Sequence, residues 1–174
     1  MGQVQINNLY NANVYVNGNS FMGKAEEVTL PAIKSKTRDV KALGLISDIE
    51  LPSGMEKMSC KIKFNAIYPE VIAQMGNPFV AQNIQVRSSL EIWDSGGRET
   101  ELPVVAYMTV FIKDSLASLN IKQNDNPDQE SEFSCTYYRL EVNGIKVIEF
   151  DALNNTYFIG DEDLLTNWRA NLGQ

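Results

Sequence analysis

Residues 133–151 read FSCTYYRLEVNGIKVIEFD, and this stretch decides the fold class of the chain. Runs of β-branched and aromatic residues stand on both sides of Asn143-Gly144. This dipeptide accepts the two positive φ angles of a type I′ turn, which is the tightest connection between antiparallel strands. The stretch therefore predicts a β-hairpin.

A two-residue loop also fixes how the two strands of this hairpin pair. With regular pairing, the opposed residues are Val142–Ile145, Glu141–Lys146, Leu140–Val147, Arg139–Ile148, Tyr138–Glu149 and Tyr137–Phe150. Neither face of such a hairpin is cleanly polar. A sheet of this kind is typically covered on both sides.

The rest of the chain continues the β pattern. Residues 13–23 predict a second hairpin that turns at Asn17 and Gly18. Alternation predicts further strands at 27–30, 57–64, 83–93 and 104–113.

Two segments favour helices. Residues 66–76 predict a short helix, with Pro69 in its first turn and Gly76 in the left-handed position after its end. A second short helix within 160–173, capped by Asp161, is left open. The expected fold is mainly β: an antiparallel sandwich or barrel-like domain spanning residues 1–174, with one short flanking helix.

Composition narrows the function classes. The chain has 174 residues, a formal net charge of -7 and no histidine. The negative charge disfavours a nucleic-acid binder that works through its overall field. The missing histidines remove the commonest general base and metal ligand, so we expect no catalytic, cofactor or metal site. Without an apolar run of about 20 residues, we also expect no membrane insertion. Cys60 and Cys135 are expected to be buried free thiols.

Two weaker motifs have more ordinary explanations. Asp125, Asp128, Glu130 and Glu132 loosely resemble a calcium loop, but the glycine and the terminal glutamate of an EF-hand are missing. A solvated loop over 114–132 is the better interpretation. Gly96-Gly97 is followed by neither Lys-Ser/Thr nor a helix, so it predicts a hairpin turn rather than a phosphate loop.

Two segments carry more apolar residues than a monomer would leave exposed. Residues 1–12 form an amide-rich N-terminal arm, either frayed or docked on a neighbour, and residues 34–56 form a long loop or an exposed β-arm. Four basic residues begin the second segment: Lys34, Lys36, Arg38 and Lys41. The predicted contact residues between assembled copies are Leu43, Leu45, Ile46, Ile49, Leu51, Ile6 and Leu9.

Three groups of residues, in this order, resemble the major tail tube protein family of contractile-tailed phages and R-type bacteriocins. The first group comprises 14–18 (VYVNG), Phe21, Gly23, 28–31 (VTLP) and Lys36-Thr37. The second is 54–57 (GMEK), leading into the strand at 57–64. The third comprises Tyr137-Tyr138, Leu140, Asn143-Gly144, Glu149, Asp151, Gly160, Asp163-Leu164, Arg169 and Leu172-Gly173. The sequence departs from the family at 42–45 and shows no clear match over 77–98.

The resemblance implies a structural protein rather than an enzyme. Hexameric rings would stack into a hollow tube that conducts phage DNA or, in a bacteriocin, punctures the target envelope. The implied partners are further copies of the chain, the surrounding contractile sheath protein, baseplate and tail-terminator proteins, and DNA in the lumen. The product would be a virion tail or a bacteriocin particle assembled in the bacterial cytoplasm. A type VI secretion tube and a β-barrel that binds a small apolar ligand are the alternative functions.

Overall fold

The computed structural model describes residues 4–114, 123 and 129–174. The strands in these residues are β1 Ile6–Val16, β2 Asn19–Ser20, β3 Ala25–Thr29, β4 Ser35–Val40, β5 Ile49–Met55, β6 Met58–Phe64, β7 Gln82–Asp94, β8 Gly97–Asp114, β9 Gln129–Val142, β10 Ile145–Asp151, β11 Thr156–Ile159 and β12 Glu162–Asp163. The helices are α1 Pro69–Met75 and α2 Thr166–Asn171. The mainly β, antiparallel fold class predicted from the sequence is confirmed.

One large sheet organises the molecule, with the strand order β12-β11-β10-β9-β8-β7-β1-β2. Strand β9 holds it together because its two halves have different partners on the same edge. Its first half pairs with β6 from Cys135 to Gln129, and its second half pairs with β10 from Val142 to Tyr137. Strand β3 continues the sheet beyond β6.

The core lies where β3 and β6 face β1, β7 and β8. Alternate residues of β6 point into it: Met58, Cys60, Ile62 and Phe64 are each at most 2% exposed. The opposing layer contributes Val14, Val16, Ile84, Val86, Ala106, Met108 and Val110. Period-2 alternation in the sequence therefore identifies the buried face of these strands.

Both predicted two-residue turns are confirmed. Asn17 and Gly18 have φ angles of 48° and 85°, and Asn143 and Gly144 have φ angles of 53° and 73°. Left-handed backbone is costly for most L-residues, and asparagine and glycine tolerate it best. This is why these dipeptides stand at the turns.

The register predicted for the hairpin at Asn143-Gly144, formed by β9 and β10, is correct near the turn and wrong beyond it. Ile145 lies opposite Val142 and Lys146 opposite Glu141, but Ile148 then pairs with Leu140 instead of Arg139. A bulge at Val147 shifts every later pair by one residue, so Glu149 faces Arg139 and Phe150 faces Tyr138. The carbonyl of Val147 accepts a hydrogen bond from the Gly160 amide at 2.9 Å, which occupies this backbone group away from β9.

The two helices differ in detail from their predictions. Helix α1 begins at Pro69, three residues after the predicted start at 66, and buries Val71 and Met75. Pro69 is in its first turn as predicted, but Gly76 has a φ angle of -76° rather than a left-handed one. Helix α2 is confirmed as a second short helix, although Asp161 does not cap it. The residue before the helix is Leu165, no side chain caps the helix, and Asp163 Oδ1 accepts the Leu165 amide at 3.0 Å just ahead of its first turn.

Three further expectations have an outcome. Residues 6–12 lack a periodic pattern, yet they form the first part of β1 through pairing with β7. The 34–56 segment is a β-arm, because β4 and β5 form their own two-stranded sheet. Gly96 lies with Ser95 in the turn between β7 and β8, and Gly97 begins β8, so the predicted hairpin turn is present. In the acidic segment, Asp125 and Asp128 lie outside the described residues. Its Glu130 and Glu132 belong to β9, where they pair with Lys61 and Lys113.

Candidate assembly surfaces

The β4–β5 hairpin separates two kinds of side chain on its two faces. Cross-strand pairing places Arg38 opposite Leu51 and Val40 opposite Ile49. Strand alternation adds Lys36 to this side, which we call the basic–apolar face. The other face is polar, and there Thr37 Oγ1 donates a hydrogen bond to Glu50.

The five hairpin residues predicted to form contacts are all exposed. Leu43 and Ile46 are 106% exposed, so the loop that joins the strands presents them fully to solvent. Leu45, Ile49 and Leu51 are 49%, 41% and 41% exposed. An isolated two-stranded hairpin is marginally stable in water, which makes an apolar face without a cover unusual in a monomer.

The structure separates Ile6 and Leu9 from the hairpin. They lie in β1, in the large sheet, where Ile6 pairs with Trp93 and Leu9 with Leu90. Leu90 pairs in turn with Leu102 of β8, so three leucines cross the sheet in one row, which we call the leucine row.

The leucine row is an apolar surface that the sequence analysis missed. Leu90 has the same parity along β7 as the buried Ile84 and Val86, so the row continues the core face of the sheet. Leu9 is nevertheless 58% exposed, and Leu90 and Leu102 are half-buried. The continued alternation of β7 was the available signal. The three leucines form one surface only because the registers of β1, β7 and β8 place them side by side.

A cleft of about 360 Å3 adjoins the row where β3 faces β1, β7 and β8. Leu9, Val28 and Leu30 line it together with the outer part of the core. The carboxylate residues Glu26 and Glu27 also line it, while no lysine or arginine does. The cleft is therefore apolar inside and acidic at its β3 wall.

The face of the large sheet that points away from the core carries, on β9 and β10, a cluster of polar side chains that bond to one another. Glu149 accepts hydrogen bonds from the Tyr137 hydroxyl at 2.7 Å and from Lys146 Nζ at 3.2 Å. Burial alone would raise the pKa of Glu149, but these two bonds outweigh it and hold the pKa below its ordinary value. Lys146 Nζ also lies 3.8 Å from the centroid of the Phe158 ring. We call this surface the polar face.

A carboxylate–guanidinium clamp holds the C-terminal helix on the sheet. Both terminal nitrogens of Arg169 bond Asp163, and Nη1 also donates to the Asn155 carbonyl at 2.9 Å. The Arg169 bond lowers the pKa of Asp163 to about 2. The clamp joins β12 to α2, whose own residues are all at least partly exposed.

Reactive groups are scarce in the part of the chain that the structure describes. Cys60 and Cys135 are buried free thiols, as the sequence predicted, and burial raises the pKa of each to about 12. No group of three or more His, Cys, Asp or Glu among the described residues is arranged to hold a metal ion. Nor does any described helix have the length and apolar content to cross a membrane.

Exposed apolar surfaces such as the hairpin and the leucine row are typical of a subunit that associates with other protein surfaces. A family model described as phage tail tube protein FII matches residues 6–173. The chain is 24% identical over 167 residues to the tail tube protein of Escherichia phage P2. The aligned region covers 92% of this chain and 94% of that protein. The chain is 26% identical over 149 residues to the major tail tube protein of Serratia phage KSP20, covering 83% and 82%.

Because the family model spans nearly all of the sequence, the chain belongs to the phage tail tube protein FII family. Its role is structural. It is a virion component that assembles into the tail tube with other tail components.

Proposed function

We propose that this chain closes into hexameric rings that stack into the inner tube of a contractile tail, and that the β4–β5 hairpin carries the main contact between stacked rings. The observation that supports the stacking role is the hairpin itself. It is a two-stranded sheet with its own apolar face, and its tip leucine and isoleucine are fully exposed.

The free energy favours a cover for this hairpin. Burying an exposed Leu or Ile side chain contributes roughly 1.5–3 kcal/mol. Leu43, Leu45, Ile46, Ile49 and Leu51 together therefore offer several kcal/mol per subunit, even after the cost of ordering the segment. Repetition around a ring multiplies a small surplus per subunit, so weak individual contacts produce firm stacking.

The N-terminal part of β1 is the second proposed contact. Ile6 and Leu9 are 63% and 58% exposed, and Trp93, which pairs with Ile6, is 41% exposed. Strand alternation places Leu9 on the face of the sheet that continues the core, and Ile6 and Trp93 on the opposite face, so both faces of the outer part of β1 carry exposed apolar side chains. Covering them by a neighbour would also protect the outer edge of β1, which pairs with β2 only at Tyr15 and Val16.

We assign the lumen wall to the polar face. A wall for passing DNA requires polar groups without a surplus of cations, since unpaired lysines would retain phosphate. On this face Lys146 bonds Glu149, and Arg139 bonds Glu141. A reconstruction of assembled tubes in which the lumen is lined by lysines would contradict this assignment.

The assembled tube would lie inside a contractile sheath and connect to baseplate and terminator proteins, and it would form in the bacterial cytoplasm. Within a phage it conducts DNA, whereas in a bacteriocin it punctures the envelope. A barrel that binds a small apolar ligand would stay monomeric at all concentrations.

The test is the double substitution Leu45→Asp, Ile49→Asp. Two carboxylates on the apolar side of the hairpin cannot be buried against a neighbour without a large desolvation cost. The variant should keep the circular dichroism spectrum of the wild type and lose tube growth in negative-stain microscopy. The matched control, Leu45→Met, Ile49→Val, keeps both positions apolar and should still give tubes. Long tubes from the aspartate variant would refute the stacking role of the hairpin.

A further inference from the structure

The four basic residues near the hairpin have no assigned role in the contact described so far. Lys36 and Arg38 lie on the basic–apolar face and are exposed, and neither forms an ion pair with another described residue. Lys41 pairs with Asp48 at 3.3 Å, in the connection between β4 and β5. The hairpin therefore presents positive charge beside its apolar residues.

The cleft between β3 and the β1–β7–β8 sheet has the opposite character. Its acidic wall consists of Glu26 and Glu27, both exposed, and its interior is apolar. Glu26 pairs with Lys63 at 3.1 Å, but Lys63 does not line the cleft. At about 360 Å3 the cleft falls within the roughly 300–1,000 Å3 range of protein pockets that enclose a guest.

The geometry points to an intermolecular insertion: the hairpin tip of one subunit occupies the cleft of a second copy, with Leu43, Leu45 and Ile46 against the leucine row and Arg38 beside Glu27. This inference rests on the proposed stacking function and supplies its receiving surface. Both surfaces are apolar at their centre, and the charges beside them are opposite in sign: negative at the cleft and positive on the hairpin face. Complementary charges of this kind fix the register of a contact and exclude wrong partners.

Two further clefts among the described residues suit this guest less well. One, below the hairpin base, is lined by four lysines, Lys34, Lys36, Lys57 and Lys61, against a single carboxylate, Glu56. It would repel a second basic hairpin. The other lies beside α2 and is lined partly by the base of the subunit's own hairpin, including Gly54 and Met55. Of these three clefts, the acidic one offers charge opposite in sign to Lys36 and Arg38 on the basic–apolar face of the hairpin.

The pairing is heterologous, because the hairpin and the cleft are different surfaces of one chain. In an open stack, a contact of this type leaves unused hairpins at one end and unused clefts at the other. Each added ring can therefore accept the next one. A self-complementary contact between two hairpins would instead stop at a pair.

Disulfide trapping tests the insertion. Leu9 lines the cleft and Ile46 stands at the tip, so the variant Leu9→Cys, Ile46→Cys should give a ladder of covalent multimers when assembled tubes are oxidised. The native thiols are buried and should not contribute. The matched control, Phe79→Cys, Ile46→Cys, places the second thiol at a position that is 90% exposed and outside the cleft. It should give no ladder.

Charge reversal provides an independent measurement. Glu27→Lys should raise the critical concentration for tube growth by about tenfold or more, because it sets two cations together. Adding Arg38→Glu to this variant should restore growth towards the wild-type value. Three outcomes would each overturn the insertion. The first is that the Leu9→Cys, Ile46→Cys variant forms tubes but gives no ladder, and the second is that the control gives a ladder of equal yield. The third is that Arg38→Glu fails to restore growth of the Glu27→Lys variant. Wild-type protein that forms no tubes would overturn the proposed stacking function instead.

Discussion

Replacing Phe133 by alanine tests how strongly β9 holds the two parts of the sheet together. Phe133 is 0% exposed and pairs with Cys60 of β6 on one side and Ile112 of β8 on the other. Truncation removes its contacts with the core and leaves a cavity between the two layers. Changes of this kind cost about 3–5 kcal/mol, a large part of the 5–15 kcal/mol by which a domain is stable.

The assay is guanidinium unfolding at a protein concentration below that of tube growth, because assembly would add its own stabilisation. Circular dichroism is the better probe, since Trp93 and Trp168 are both partly exposed and would report the core weakly. In a parallel thermal unfolding followed by the same probe, at roughly 2–4 °C per kcal/mol, we expect the melting temperature to fall by about 6–20 °C. The m-value should not change.

The control for this measurement is Phe79→Ala. Phe79 is 90% exposed, so its loss should change the free energy of unfolding by less than about 0.5 kcal/mol. A cost below about 1 kcal/mol for Phe133→Ala, or equal costs for the two variants, would refute the assignment of Phe133 to the core joint.

Two further predictions concern titratable groups. The pKa of Asp163 is lowered to about 2 from an ordinary value of 3.8, so its bond to Arg169 stabilises the fold above pH 4 and is lost as the pH falls towards 2. Asp163→Asn should therefore lower the melting temperature at pH 6 and lower it much less near pH 2, where the carboxylate is largely neutralised; a gap of the same size at both pH values would show that the ionised carboxylate is not the cause. Cys60 and Cys135, with pKa values raised to about 12 by burial, should resist iodoacetamide at pH 8 in the native protein and react fully in denaturant, as mass spectrometry would measure. Rapid alkylation of native protein would contradict their burial.

Local chemistry explains which parts of the fold could be predicted. Asn143-Gly144 needs only its own backbone to form the turn, and the alternation in β6 needs only a covered face. The bulge at Val147 has a different origin, because its carbonyl bonds Gly160, which lies in another turn. Gly160 lies outside the stretch from Tyr137 to Phe150, so the sequence of that stretch alone does not predict the bulge.

The assembly surfaces were likewise predictable only in part from the sequence. The exposed leucines and isoleucines of residues 43–51 could be identified from the sequence, because no core pattern accounts for them. Leu9 was also identified, but Leu90 and Leu102 were not. Each of those two belongs to an ordinary alternating strand, and they become a surface only when three strands align in register. The amide-rich beginning of β1 is likewise a strand because of its pairing with β7, not because of its own propensity.

The pairing of β9 also has a mechanical consequence. Its first half is bonded to β6 and β8, and its second half to β10 and β8, so hydrogen bonds hold both edges along nearly its whole length. These bonds lie perpendicular to the strand. A force applied along β9 shears many of them at once, whereas a peeling force would break them one after another. Along this direction β9 should therefore resist load better than β4 or β5, which pair only with each other among the described strands.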